Sequence, residues 1–289
     1  MHILFSSKNP ASNNIAQRLM EMGFSEVSGS PYPASRTGNS NREALGNQGN
    51  ERAASRFDRE QETGYWAWKG HRMLDTKVGL ILDVPTDWDA DWLLVLSTHR
   101  SEKKFPAFTV HIPGNWDKAE MGGEPRTLNI AYASRMKDLL LALREKNTLG
   151  WNVNQEVDHH GPTCKLPIIF IEIGSSEEEW VNPKAAEIVA EAVIDSINEK
   201  KLYPSYVGAG GGHYAPFFTK LMLESEDAFG HIIPKYQAAN IGADTLKQAK
   251  EKNVERVDTL VYENKSFRAG ERDRLFSIAK EIGLEVEIR

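Results

Sequence analysis

Cysteine is nearly absent: Cys164 is the single thiol among 289 residues. No intrachain disulfide can form, and a zinc module built on cysteines is excluded. Long apolar runs are missing too. No stretch approaches the ~20 residues that a membrane-spanning helix needs. The opening MHILFSSKNP reads as a short strand and turn, not as a charged start followed by an apolar signal segment. An excess of positive charge is also lacking. Lys and Arg number 35 against 41 Asp and Glu, a net −6, so a nucleic-acid partner would have to be met by a local basic groove. No Gly-x-Ser-x-Gly elbow occurs, which argues against a serine hydrolase. What remains, 40% hydrophobic and 26% charged, is the composition of a soluble globular protein, expected in the cytoplasm. The length suits one large or two modest domains.

Hydrophobic periodicity predicts a strand at 3–5, then a helix with Ile15, Leu19 and Met22 on one face and Gly23 as its stop. Residues 34–62 break the pattern. Leu45 and Phe57 are their only large apolar residues, and five Arg cancel five acids, so this polar insertion is expected to be mobile. Order returns at 65–68, and further strands are expected at 78–82, 92–97, 107–112, 153–157, 167–173, 205–207 and 230–233. Helices are expected over 127–146 and from Asn182–Pro183 to Ile197. The tail alternates helix, strand, helix, strand over 245–288. Strands alternating with helices predict a layered α/β fold with a mixed, mostly parallel sheet and helices on both faces. Residues 1–90 with 241–289 are expected to form a smaller supporting domain, and 91–240 the catalytic one.

Six of the eight histidines lie between His99 and His231. His99, His111, the pair His159–His160, Glu172 and His213 all fall at or near the ends of expected strands. If those strands run mostly parallel, the side chains converge on one edge, where α/β sheets place their ligands. Imidazole with carboxylate suits zinc and related ions. Adjacent residues of an extended chain face opposite ways. Only one of His159 and His160 would therefore face a pocket unless the following Gly161–Pro162 turn rotates the chain, with Asp158 as an outer partner. Glu172 stands in an otherwise apolar strand, where a lone carboxylate needs a metal, a hydrogen bond or a buried Arg or Lys. Gly210, Gly211 and Gly212 before His213 offer backbone N–H groups to an oxyanion or phosphate, or else form a tight turn. No long helix pattern follows them. Arg100, Lys103 and Lys104 beside His99 are either a phosphate-contacting cluster or a solvated loop.

Five strings carry a resemblance: STHRSEKKFPAFTVHIPGNW at 97–116, DHHGPT at 158–163, IEIGSSEEEW at 171–180, GGGHYAPFFT at 210–219 and GHIIPKY at 230–236. In this order and spacing the sequence resembles the archaeal and plant type of D-aminoacyl-tRNA deacylase. Two positions depart from that pattern. Asp158 stands where the family commonly has a small hydroxyl residue, and Phe217 where it often has a basic or polar one.

The resemblance implies a zinc-dependent hydrolase that frees tRNA from a D-amino acid, a proofreading step in translation. It also implies an architecture akin to zinc exopeptidases and peptidyl-tRNA hydrolases, and a monomer. The candidate metal ligands are His99, His160, Glu172 and His213, for one or two Zn2+ ions. The candidate catalytic residues are His111, His159 and His160, with His111 or an unliganded member of the pair protonating the departing ribose oxygen. Arg100, Lys103 and Lys104 are the candidate tRNA contacts, and Gly210–Gly212 the candidate oxyanion or phosphate loop. No membrane or DNA partner is expected. The competing reading is a metal-dependent amidohydrolase or exopeptidase, with Arg100 or Arg126 holding a substrate carboxylate.

Overall fold

Strand β1 (His2–Phe5) leads into helix α1 (Pro10–Glu21), and the entry is local chemistry. The Asn9 side chain accepts the Ser12 N–H, and Pro10 occupies the first turn, where no N–H is needed. A computed structural model describes residues 1–29, 65–79, 82, 90–102 and 104–289. The insertion at 34–62 and Lys103 lie outside the described residues. Next come β2 (Ser25–Val27), β3 (Tyr65–Trp68), β4 (His71–Asp75), β5 (Leu93–Arg100) and β6 (Ala107–His111). The short pair β7 (Gly114–Asn115) and β8 (Thr127–Leu128) precedes α2 (Ala133–Lys146), β9 (Asn152–Gln155) and β10 (Ile168–Ser175). After α3 (Glu177–Trp180) and α4 (Pro183–Ser196) come β11 (Ser205–Ala209), α5 (Pro216–Glu224) and β12 (Ala228–Ile233). The tail is α6 (Ala243–Glu251), β13 (Thr259–Tyr262), α7 (Ala269–Glu281) and β14 (Glu285–Ile288).

Eight strands form one sheet in the order β2-β3-β4-β1-β5-β10-β6-β9, and four form a second in the order β12-β11-β13-β14. The larger sheet is mixed, with its parallel pairs at β4-β1-β5-β10 and β6-β9. The smaller is parallel throughout. The expected grouping of 1–90 with 241–289 is thereby corrected. Strand β1 is buried along its whole length, so it needs neighbours on both sides and takes them from β4 and β5 of the large sheet. The tail strands instead extend the sheet begun by β11.

Alternation sorts the large sheet's side chains. Leu94, Leu96, Ile169, Ile171 and Ile173 join Ile15, Leu19, Leu139 and Val189 from α1, α2 and α4 in the main core. Leu93, Val95, Ile168 and Phe170 line the other face. No helical residue among the described residues joins that second cluster, so the expectation of helices on both faces holds for the small sheet alone. There α5 contributes Phe218 and Met222 to one side, while α6 and α7 contribute Leu246 and Leu275 to the other.

Three local expectations change. The helix expected over 127–146 begins at Ala133, because Thr127 and Leu128 pair with Asn115 and Gly114. Helix α5 follows the glycine run directly, with Pro216 in its first turn. Strand β4 carries charges that mask it, while the strand expected at 78–82 lies partly outside the described residues.

Candidate active site

Three neighbouring strands build a floor on the face opposite the helices. Glu172 of β10 stands in register with Ser97 of β5 and Thr109 of β6, so all three side chains share that face. Two residues along, His99 lies beside Gly174 and His111 beside Phe170. Gly174 is required here: a Cβ would come within 2.6 Å of the His99 ring. Strand β6 is antiparallel to β10, so the side chains do not gather at one carboxyl edge as parallel strands would have them. They meet across the sheet face.

The chain continuing from β9 supplies the wall. Val157 N–H donates to the His213 carbonyl and Ala215 N–H to that of Gln155, bridging Glu156 and Tyr214. Glu156 is thereby sealed above the floor at 1% exposure. Its Oε1 lies 2.9 Å from His99 Nδ1 and 3.5 Å from His213 Nε2. Its Oε2 lies 3.3 Å from His111 Nδ1 and 3.7 Å from His159 Nε2. Both oxygens are nonetheless without an aligned hydrogen bond, as is His111 Nδ1. His160 completes the ring. Its φ of +48° turns the chain before Gly161, and its Nε2 stands 3.3 Å from His111 Nε2. Both members of the pair therefore face the cluster, which answers the question their adjacency raised.

The charges divide along this geometry. Burial alone would raise the Glu156 carboxyl, but His213 and His99 outweigh it and hold the group well below its usual range. Burial, and then the Glu156 charge, pushes Glu172 up to about 8. Two carboxylates thus share one site, one ionised and one protonated. Burial, reinforced by neighbouring imidazoles, drives His111 well below its ordinary value and His159 down to about 3. For His99 and His213 burial pulls downward, but Glu156 raises both above the usual imidazole value.

Among the described residues, three sets of donors each bring one atom per residue within 4.8 Å of the others in the set: His111, His159 and His160; His99, Glu156 and His213; His111, Glu156 and Glu172. The expected ligands His99, His160, Glu172 and His213 are split among these groups. Glu156, which the sequence reading passed over, belongs to two of them. Its signal is a carboxylate at the end of an alternating strand, three residues ahead of His159 and four ahead of His160. Among the described residues Glu172 has no Arg or Lys partner; its contacts include His99, His111 and Thr109.

Other expectations are corrected. His111 is fully buried and does not line the cleft, and burial drives its imidazole well below the ordinary value. Asp158 turns away from the histidine pair, accepting the Ile232 N–H and pairing with His231 Nδ1 at 2.6 Å. The glycine loop is occupied by the protein itself. Gly210 N–H donates to the Ile233 carbonyl, Gly212 N–H to that of Tyr214, and Gly211 N–H to Glu263 Oε2. None of the three is free for an oxyanion. Arg126 is paired with Asp244 at 2.6 Å, away from any carboxylate-binding role.

A cleft of about 880 Å³ opens on His213 and Tyr214. Tyr214 reaches inward, its hydroxyl 2.6 Å from His99 Nε2. Arg100 lines the cleft and lies over the Trp180 ring at 4.9 Å. Lys104 is exposed and is not part of the lining.

Comparison with known proteins adds the following. A family profile described as D-aminoacyl-tRNA deacylase matches residues 86–287. A D-aminoacyl-tRNA deacylase of Pyrococcus furiosus is 43% identical over 67% of this chain and 72% of its own length. One of Thermococcus kodakarensis is 46% identical over 65% of this chain and 70% of its own. A crystal structure of a conserved protein of unknown function superposes with a TM-score of 0.81 at 28% identity, covering 99% of this chain and 94% of that one.

Proposed function

Because the chain belongs to the D-aminoacyl-tRNA deacylase family, we propose that the cluster around Glu156 is where it hydrolyses the ester joining a D-amino acid to tRNA. Water adds to the ester carbonyl, the bond to the ribose oxygen breaks, and that oxygen takes a proton. Free tRNA and a D-amino acid result. The observation that carries the assignment is the buried carboxylate ringed by four imidazoles beside a cation-lined cleft.

Zinc fits this site. Buried oxygens of Glu156 and a buried nitrogen of His111 lack aligned partners, and imidazole with carboxylate is a donor set that zinc takes. His111, His159 and His160 would hold the ion, since burial keeps these rings neutral with lone pairs available. When bound, zinc polarises a carbonyl and acidifies water. The chain's own groups handle orientation and protons. His213, whose side chain is 42% exposed and whose imidazole Glu156 raises above its usual value, would deliver a proton to the ribose oxygen. Tyr214, held by His99, presents a hydroxyl to the substrate from the same wall.

The architecture we infer is akin to zinc exopeptidases and peptidyl-tRNA hydrolases, on the strength of a histidine and carboxylate cluster laid on the face of a mixed sheet opposite its helices. By its resemblance to the family, we take the protein to act as a monomer in the cytoplasm. The test is deacylation of matched D- and L-tyrosyl-tRNA with and without chelator. Rapid, chelator-sensitive release of the D-form alone is expected. Equal rates on both enantiomers would leave a general esterase.

A further inference from the structure

Three cations line the cleft from two directions. Arg100 ends β5 of the large sheet, while Lys235 follows β12 and Lys265 follows β13 of the small one. Among the described residues, none of the three pairs with a carboxylate. Glu102 and Glu263 line it too, the latter engaged by Gly211 and Ser266, so three cations against two carboxylates leave the cleft at +1 in a chain of net charge −6. Their backbones are fixed. Lys235 N–H donates to the Gly211 carbonyl at 3.1 Å. Glu263 Oε2 accepts from the Gly211 N–H and the Ser266 hydroxyl, tying the glycine loop to the turn that carries Lys265. Arg100 is braced against Trp180. The cavity, about 880 Å³, lies toward the upper end of small-molecule sites, ~300–1,000 Å³, and offers more room than an aminoacyl group needs.

We infer that this cleft is the seat of the phosphodiester backbone at the 3′ end of the tRNA, gripped by Arg100 on one wall and by Lys235 and Lys265 on the other. The inference rests on the deacylase reading and names how that substrate is held. The strand enters between the two sheets, its phosphates meet the cations, and its terminal ribose ester arrives at His213 and Tyr214. A small acyl-amino acid would have no use for cations on both walls.

The experiment measures KM and kcat for D-tyrosyl-tRNA, and the affinity for uncharged tRNA across salt concentrations. It compares the wild type, K235A/K265A, K235R/K265R and K247A, whose lysine lies near Glu251 on α6 outside the cleft. K235A/K265A should raise KM about tenfold with a much smaller change in kcat, as expected for lost phosphate contacts. Its slope of log affinity against log salt should be shallower by about 1.4, that is ~0.7 for each single-strand contact. The wild type should prefer D-tyrosyl-tRNA over D-tyrosyl-adenosine, which lacks the phosphates, and K235A/K265A should lose most of that preference. K235R/K265R and K247A should behave as the wild type. An unchanged KM and salt slope in K235A/K265A overturns the inference while the deacylase reading stands. So does an equal loss in K235R/K265R, which would mark a structural effect. A wild-type protein that leaves D-tyrosyl-tRNA intact removes the deacylase reading, and this inference with it.

Discussion

Glu156 Oε1 and His99 Nδ1 are 2.9 Å apart, both buried, and they come from chain segments that meet only because β5, β10, β6 and β9 lie side by side. The same carboxylate faces His213, the ring that opens on the cleft. Glu156 therefore couples the sealed floor to the substrate side. Replacing it by Gln removes the charge that raises His99 and His213 above the usual imidazole value. Turnover should fall by at least ~100-fold. Glu156→Ala should also cost about 3–5 kcal/mol of stability, since it strands buried partners. A Glu156→Gln protein with near-normal kcat would end its central role.

Glu172 gives a pH-dependent outcome. Its carboxyl is pushed up to about 8 from 4.5. Above pH 4.5 the unfolded chain sheds this proton while the folded chain keeps it, so its contribution to stability is lost as pH rises toward 8. Glu172→Gln is neutral throughout and escapes that loss. With chelator present, the unfolding free energy of Glu172→Gln relative to the parent, read from denaturant titrations, should climb between pH 5 and 8, at roughly 1.4 kcal/mol per pH unit. A difference that stays flat over this window would mean that Glu172 is ionised in the folded protein.

Gly174 carries His99 on its bare backbone. Gly174→Ala would place a Cβ 2.6 Å from that ring, and the ring must move off Glu156 and Tyr214. Turnover should drop more than tenfold, with a stability loss of about 1–3 kcal/mol from overpacking. Full activity would show that the position of His99 is unimportant.

Asp158 joins the two sheets through His231 and the Ile232 N–H. Asp158→Ala should cost about 3–5 kcal/mol while metal bound per folded molecule stays unchanged. Loss of metal at unchanged melting temperature would return Asp158 to the histidine pair.

Metal removal tests the ligand assignment directly. Chelator should abolish turnover, and added zinc should restore it. His159→Ala should lose bound metal and, since even outer-shell changes cost 10–100-fold, at least that much activity. His159→Ala with full zinc content would exclude this ring as a ligand.

Much was written in the residue order. The run Ile168–Ile171 predicts a strand buried on both faces, Asn9–Pro10 and Asn182–Pro183 mark helix starts, and the histidines between 99 and 213 with Glu172 mark the region of the chemistry. These features are local, because periodicity, capping and residue type act within a turn or a strand. The direction of β6, the meeting of Glu156 with His99, the diversion of Asp158 to His231 and the capture of Gly211 by Glu263 were decided by the tertiary structure. Each depends on which distant backbone passes within hydrogen-bond reach. A buried polar group must satisfy itself from whatever neighbour the packing supplies, and residue order alone does not name that neighbour.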